Sequence, residues 1–157
     1  MKIKFRLESI KKIFDGSSMI LGLSKKVTKR ALFRFGIYCR KVARNSLGKG
    51  TEVSNVGEPP TSRTRMLKNS IRSGVDMNRR SVVIGPVILR VPKKVKGLVP
   101  PLLEYGGMTM LLVGKKARQR WRPARYRARP FMGPAFTVSL PRLSRFWQQA
   151  RQDVFKG

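Results

Sequence analysis

The chain has 157 residues, enough for one domain that buries a hydrophobic core without disulfides or a metal. Its 36 Lys and Arg residues outnumber seven Asp and Glu residues, so the formal net charge is +29 at pH 7. The sequence has no histidine and one cysteine, Cys39. These counts exclude His-dependent nucleophiles, imidazole metal ligands, intramolecular disulfides and cysteine-rich metal sites. Such a basic chain seeks anionic neighbours, which are nucleic acid, an acidic protein surface or anionic lipid.

The amino-terminal part predicts two helical pieces. Residues 1–23 are interpreted as an extension that holds at most a short helix, which Asp15-Gly16-Ser17 would end. A long amphipathic helix is predicted over 24–46, capped by Ser24 and stopped near Gly48. Its apolar face carries Val27, Ala31, Phe35, Tyr38 and Val42 at helical spacing. No apolar segment reaches the ~20 residues that a bilayer span needs, so we expect no membrane partner. We expect the chain to be synthesised in the cytoplasm.

The rest of the chain alternates short apolar elements with basic loops. In chain order, the pattern predicts a loop over 48–65, a helical turn over 66–71 and a strand over 81–91 that is interrupted at Gly85-Pro86. A helix or turn over 98–105 and a strand over 108–114 follow. A carboxy-terminal helix carries on one face Leu143, Phe146, Trp147, Ala150 and Val154. Ser139 is the candidate cap of that helix, and Pro141 is a candidate kink.

The predicted fold class is α+β. Residues 24–157 would form a single domain, in which the long helix and the carboxy-terminal helix pack on a small antiparallel sheet between long basic loops. The apolar face of the long helix would cover a sheet containing Ser81–Ile84 and Val87–Val91.

Residues 115–129 are the most conspicuous candidate for an interaction site. They hold eight basic residues and no acid, so we expect an exposed loop or arm. Its arginines suit phosphates and its aromatics suit bases, but the same residues suit an acidic protein surface. The candidate interface or polyanion contacts are Lys115, Lys116, Arg118, Arg120, Trp121, Arg122, Arg125, Tyr126 and Arg127.

Residues that could support catalysis are few. The acids are scattered, and Thr109 stands where a phosphate-binding loop ending at Gly114-Lys115 would need glycine. Glu104, in an apolar context, is interpreted as a structural carboxylate paired with an arginine, and Arg129 is the candidate partner. Cys39 is interpreted as a small core residue. We therefore predict no catalytic residue, no metal and no cofactor.

Several spaced motifs together are similar to one protein family. They are VARNSLG at the end of the long helix, PPTSRTRMLKNSIR over 59–72, SVVIGP over 81–86, LEYGG over 103–107 and ARPFMGPAF over 128–136. In this order and spacing they resemble the tail-component, or tail-completion, proteins of long-tailed bacteriophages, over residues 25–155. The chain departs from the family pattern at Arg65, where the family usually has glycine, and in its long basic segment.

The resemblance implies a non-enzymatic virion protein of the head–tail joining region. Its expected partners are other copies of the chain in a ring and neighbouring neck and tail proteins (connector, tail terminator or tail tube), with a possible contact to genomic DNA; its expected location is the virion head–tail junction. The motif residues are Glu104, Tyr105, Gly106, Arg129, Pro130, Phe131 and Pro134, and the two prolines would present Phe131 from a stiff segment. The alternative hypothesis is a nucleic-acid-binding protein of ribosomal or nucleoid type, supported by the charge and the Arg/aromatic segment.

Overall fold

A computed structural model describes residues 7–61, 65–87, 95–96, 99–114 and 119–156. The elements in chain order are α1 (Leu7–Ser46), α2 (Met66–Ser70), β1 (Ile71–Asp76), β2 (Ser81–Pro86), β3 (Val95–Lys96), α3 (Val99–Tyr105), β4 (Gly107–Val113), β5 (Arg120–Tyr126), α4 (Met132–Ser139) and α5 (Leu143–Phe155). The structure confirms the predicted α+β class, with a long amino-terminal helix, a carboxy-terminal helix and antiparallel strands.

Helix α1 is one continuous element. The predicted break at Asp15-Gly16-Ser17 is wrong, because the helix runs through these residues from Leu7. Ser24 is therefore not a cap, and its carbonyl accepts a hydrogen bond from Thr28 Oγ1 at 2.9 Å inside the helix. An interior glycine costs only about 1 kcal/mol relative to alanine, which helix-forming neighbours on both sides can offset. The division into an extension and a domain at residue 23 stays a prediction.

The strands form two small sheets where the sequence predicted one. β1 and β2 are an antiparallel hairpin, in which Ile71 lies opposite Pro86 and Asp76 lies opposite Ser81. β3, β4 and β5 form a second antiparallel sheet in that order. The strand predicted over 108–114 is confirmed as β4, whereas β2 ends at Pro86 and residues 88–91 lie outside the described residues.

The apolar face of α1 packs mainly on helices. Val27 and Ala31 lie in one buried cluster with Ala150 of α5. The Phe35 ring meets the Phe136 ring of α4 edge-on, with centroids 6.0 Å apart. Tyr38 contacts Phe146 with the two rings tilted, their centroids 5.7 Å apart. The prediction that α1 packs on a sheet containing β2 is confirmed, since α1 contacts both strands of the hairpin, but the rings of Phe35 and Tyr38 find their aromatic partners in α4 and α5.

The β1–β2 hairpin approaches α1 at Gly36. A Cβ on Gly36 would lie 2.8 Å from Val82 Cγ2 and 3.3 Å from Ser73 Cβ. The glycine that weakens the helical pattern in the sequence is thus the position at which the sheet comes closest.

A second cluster joins the carboxyl end of α1 to the middle of the chain. It contains Ala43, Leu47, Leu67, Ile71, Phe131 and Ala135. Helices α4 and α5 are separated by a 3₁₀ turn, Leu140–Arg142, so the kink predicted at Pro141 is confirmed. Ser139 does not cap α5, since its hydroxyl donates to the Ala135 carbonyl at 2.7 Å.

Candidate interaction surface

The carboxylate of Glu104 holds the amino end of α4. Its Oε2 accepts hydrogen bonds from the amides of Phe131 and Met132, at 2.9 and 3.0 Å. Its Oε1 accepts a third bond from the Gly133 amide at 2.7 Å. The first N–H groups of a helix have no partner within the helix, and negative charge is favourable there. Because the residue before α4 is a phenylalanine that cannot cap it, Glu104 supplies the cap from a distant segment.

Arg129 has partners other than the one predicted from the sequence. Its Nε donates to the Ser54 carbonyl at 2.9 Å, and its amide donates to the Leu103 carbonyl at 2.6 Å. The predicted Glu104–Arg129 pair is therefore wrong, because α4 supplies three amide donors to the carboxylate. Arg129 instead joins the loop after α1 to the segment that leads into α4.

Phe131 is an anchor of the core. Its side chain is only 1% exposed and lies in the cluster with Ile71 and Ala135. Pro134 falls in the first turn of α4, as the sequence predicts for a helix start. The segment between Pro130 and Pro134 presents the Phe131 side chain to the core, where burying it stabilises the fold by about 1.5–3 kcal/mol.

Gly106 ends α3 and lets the start of β4 pass close to the end of β5. It has a φ of 73°, in the left-handed region, and its amide donates to the Leu102 carbonyl at 3.0 Å. A Cβ here would lie 3.0 Å from the Tyr126 carbonyl oxygen and 3.1 Å from the Ala128 nitrogen. Tyr105, the last residue of α3, is left 83% exposed.

The basic segment 115–129 is largely a strand. Residues 120–126 form β5 and pair with β4, with Arg122 opposite Leu111 and Trp121 opposite Leu112. Of the predicted loop or arm, residues 120–126 are therefore a paired strand. The remaining candidates Lys115, Lys116 and Arg118 lie outside the described residues. Because β5 is an edge strand, it tolerates Pro123 in its middle.

The arginines of this strand reach solvent, as the sequence predicts. Arg120, Arg122, Arg125 and Arg127 are exposed, whereas Tyr126 is half-buried. Trp121 is 37% exposed. One face of the sheet places apolar β4 side chains opposite β5 residues, in the pairs Met108–Arg125, Met110–Pro123 and Leu112–Trp121.

Two groups of predicted site residues line one hollow of about 950 Å³. Tyr105 and Gly106 come from the end of α3, and Arg125, Tyr126 and Arg127 come from the end of β5. The other lining residues are Val56, Gly107, Met108 and Ala128. We call this concave region the Tyr105 hollow. Sequence reasoning missed Val56 and Met108, because each is a single apolar residue whose exposure, 53% and 66%, only the fold reveals.

The chemistry of the Tyr105 hollow suits binding. Its walls combine two tyrosines, a methionine and two guanidinium groups, and no acid lines it. Exposed apolar groups beside arginines are typical of surfaces that bind a partner carrying both apolar and anionic groups. In the part of the chain that the structure describes, no group of three or more Cys, Asp or Glu side chains could hold a metal ion.

Cys39 is a core residue, as the sequence predicts. It is fully buried on α1, and burial raises the pKa of its thiol, with an opposing contribution from a hydrogen bond to Ser139. Its basic sequence neighbours do not produce an activated thiolate.

Comparison of the chain with protein-family models, curated protein sequences and solved structures gives no match. The resemblance to phage tail-completion proteins therefore rests on the motifs quoted from the sequence. Among the described residues, no helix is long and apolar enough to cross a membrane.

Proposed function

We propose that the chain is a structural virion protein of the bacteriophage head–tail interface, which assembles as a ring and binds neighbouring neck and tail proteins close to the DNA channel. The proposal includes no catalytic role and no cofactor. The observation that carries it is the contact of Glu104 with the amides of Phe131, Met132 and Gly133. This contact joins the LEYGG and ARPFMGPAF motifs, the two most specific parts of the family resemblance, into one structural unit.

The Tyr105 hollow lies beside that unit and supports a role in assembly. Tyr105 follows Glu104 directly, so its exposed aromatic side chain lies next to the residue that caps α4. The β4–β5 sheet extends the same surface with its arginines and Met108. A net charge of +29 supports acidic proteins or DNA as the neighbours of such a surface.

The proposal is tested on the phage that encodes the chain. An amber codon at Trp121 is grown in a suppressing and in a non-suppressing host, and the particles are examined by electron microscopy and mass spectrometry. We expect DNA-filled heads and separate tails without suppression, and the chain in complete particles with suppression. Normal tailed particles without the chain would refute the proposal.

A second candidate function, nucleic-acid binding, is favoured by the arginines in and beside the strand that also carries Trp121 and Tyr126. Alternating cations and aromatic rings suit single-stranded nucleic acid. The test replaces four arginines with glutamine, at Arg120, Arg122, Arg125 and Arg127. The control variant replaces four exposed lysines elsewhere in the same way, at Lys25, Lys41, Lys49 and Lys156.

For a specific nucleic-acid site, the arginine variant lowers the slope of log affinity against log salt by about 0.7–0.9 for each phosphate that the protein no longer neutralises. The lysine variant leaves that slope near the wild-type value. Equal effects of the two variants would identify the binding as a general response to charge, which contradicts a nucleic-acid site on β5.

A further inference from the structure

A second concave region lies between α1 and the β1–β2 hairpin. It has a volume of about 550 Å³, and its apolar walls include Phe33, Val75 and Val82 around the close approach at Gly36. Phe33 is 59% exposed, although it lies well inside the long helix. We call this region the α1 groove. A large aromatic side chain left open beside apolar walls is the type of site that accepts an apolar residue of a partner.

The rim of the α1 groove is positively charged. Lys26, Lys29 and Arg30 lie along its helix side, and all three are exposed. Arg30 donates to the Asp153 carbonyl at 3.1 Å, but neither lysine contacts an acid among the described residues. The occupant that this groove favours therefore carries a carboxylate next to an apolar side chain.

The open edge of β1 borders the same groove. The Ser70 carbonyl accepts a hydrogen bond from the Val87 amide, so Ser70 and Val87 are a hydrogen-bonded pair of the antiparallel ladder. Along such a ladder, residues of one strand alternately bond to the partner strand and point away from it. It follows that the main-chain groups of Ser73 and Val75, which line the groove, point away from β2. An edge of this kind offers donors and acceptors to the backbone of an incoming segment.

The chain itself contains a segment with the required chemistry. In the loop over 51–58, Glu52 is exposed and the neighbouring Val53 is 76% exposed. Glu58 is also exposed, at the end of the same loop. We call residues 51–58 the acidic loop.

Three other acids, with side chains that the structure describes, are already engaged within the chain. Asp76 accepts hydrogen bonds from turn amides, Glu104 holds α4, and Asp153 forms an ion pair with Arg34. Glu58 accepts a hydrogen bond from the Asn55 amide at 3.2 Å. Among the acids whose side chains the structure describes, Glu52 is therefore the one that combines an unengaged carboxylate with a neighbouring exposed apolar residue, Val53.

The acidic loop cannot reach the groove of its own chain. From Phe33 to the end of α1 at Ser46 the helix rises by about 20 Å, and the loop follows that end. The loop is also fixed in place, because Gly57 donates to the Ala128 carbonyl at 3.0 Å and Thr61 Oγ1 donates to the Glu52 carbonyl. A contact between loop and groove must join two copies.

We propose that the acidic loop of one copy docks in the α1 groove of the next, with Val53 against Phe33 and Glu52 against Lys26 and Lys29. Since loop and groove are different surfaces, the contact is head-to-tail, and its repetition produces a closed ring or an open filament. The inference rests on the ring assembly of the proposed function and names the residues that would carry it.

Cross-linking tests the geometry of this contact. The chain carries Gly74→Cys in the groove, Thr51→Cys in the acidic loop, or both, so that Phe33 and Val53 stay in place. It is treated with a short bismaleimide at low salt, and Cys39 is kept because it is buried. Chains with both cysteines should give a ladder of covalent oligomers, and a mixture of the two single variants should give only dimers. In the control, Val138→Cys, at an exposed position of α4, replaces Thr51→Cys.

The absence of a ladder, or an equally strong ladder from the Val138 control, would overturn the proposal. Both results are independent of the particle experiment, because the chain can form head-to-tail oligomers whether or not it belongs to a virion. Failure of the particle experiment alone therefore refutes the proposed function and leaves the loop–groove contact intact.

Charge exchange tests the chemistry of the contact. By sedimentation velocity, Lys29→Glu should weaken self-association at least about tenfold, and Glu52→Lys should do the same. The two substitutions together should restore it to within about threefold, because the pair re-forms with its signs exchanged. The matched control Lys41→Glu, an exposed α1 lysine outside the groove, should not be rescued by Glu52→Lys.

An alternative occupant of the groove, nucleic acid, gives a different pattern. In that case Lys29→Glu weakens association and Glu52→Lys strengthens it, and nuclease abolishes the oligomers. This pattern would overturn the proposal.

Discussion

Replacing Glu104 with alanine should destabilise the fold substantially, although Glu104 belongs to no hydrophobic cluster. The substitution leaves three amides without their acceptor, at Phe131, Met132 and Gly133. The Gly133 amide lies at the exposed end of the helix and can bond to water. The other two are partly buried, and an unsatisfied buried amide costs about 1–3 kcal/mol. Because both amides are only partly buried, each should cost about 1–2 kcal/mol, and we expect Glu104→Ala to lower the free energy of unfolding by about 2–4 kcal/mol.

The measurement is urea denaturation followed by circular dichroism. With a typical slope of about 2 kcal/mol per molar urea, the midpoint should fall by about 1–2 M. Glu104→Gln keeps one acceptor oxygen and should lose about half as much. Native-state hydrogen exchange should show faster exchange of the Phe131 and Met132 amides in the alanine variant.

The matched control is Glu52→Ala, which removes the same charge from an exposed side chain and should stay within about 0.5 kcal/mol of the wild type. If Glu104→Ala were no more destabilising than this control, the carboxylate would not cap α4. The physical link between the two motifs would then be absent.

Other substitutions test the packing of the helix and the turns. Gly36→Val should lower the free energy of unfolding in urea by at least about 1–3 kcal/mol, because its Cβ would lie 2.8 Å from Val82 Cγ2. In the control Gly22→Ala, the new Cβ has nothing within 4 Å, so the variant should be neutral or more stable by up to about 1 kcal/mol. Similar values for the two variants would contradict the close approach at Gly36. Gly106→Ala should lower the free energy of unfolding by about 1–3 kcal/mol, since the φ of 73° and the adjacent Tyr126 carbonyl both disfavour a Cβ. An unchanged melting temperature would show that this turn adjusts to a Cβ without strain. Burial raises the pKa of the Cys39 thiol above its ordinary 9.0, so the unfolded chain loses this proton at a lower pH than the folded chain. The stability of the wild type relative to Cys39→Ala should therefore be constant below pH 9 and fall above it. A difference that does not change with pH, measured by denaturation, would show that the pKa of the thiol is not raised.

Local periodicity predicts several elements correctly. The spacing of Val27, Ala31 and Phe35 identifies the buried face of α1 before any partner is known. The apolar run over 108–114 identifies β4, and Pro141 identifies the break before α5. Each of these features is set by residues near one another in the chain, which is why the sequence alone contains them.

The features that the sequence does not predict depend on main-chain groups or on distant neighbours. The partners of Glu104 are backbone amides, which every residue except proline carries, so only the fold shows which amides meet it. Charge complementarity instead points to Arg129, whose guanidinium binds a carbonyl. Strand β5 is not predicted for a related reason. Its arginine-rich sequence is typical of a solvated loop, and only its pairing with β4 in the folded chain makes it a strand. In the sequence, Gly36 likewise indicates only a weak point of the helix, whereas the fold shows that Val82 lies too close for a larger residue.

The distribution of the acids limits how the chain can assemble. Asp76, Glu104 and Asp153 are used within the fold, so over residues 21–156, as far as the structure describes their side chains, a second copy offers little negative charge beyond its acidic loop. Each loop–groove contact would bring Glu52 to two lysines, while every added copy brings a further +29. Self-association should therefore weaken with each added copy unless DNA or an acidic protein neutralises the growing charge. The proposed ring should therefore close only in the company of an anionic neighbour, and the exposed arginines of β5 are the groups that we propose would bind it.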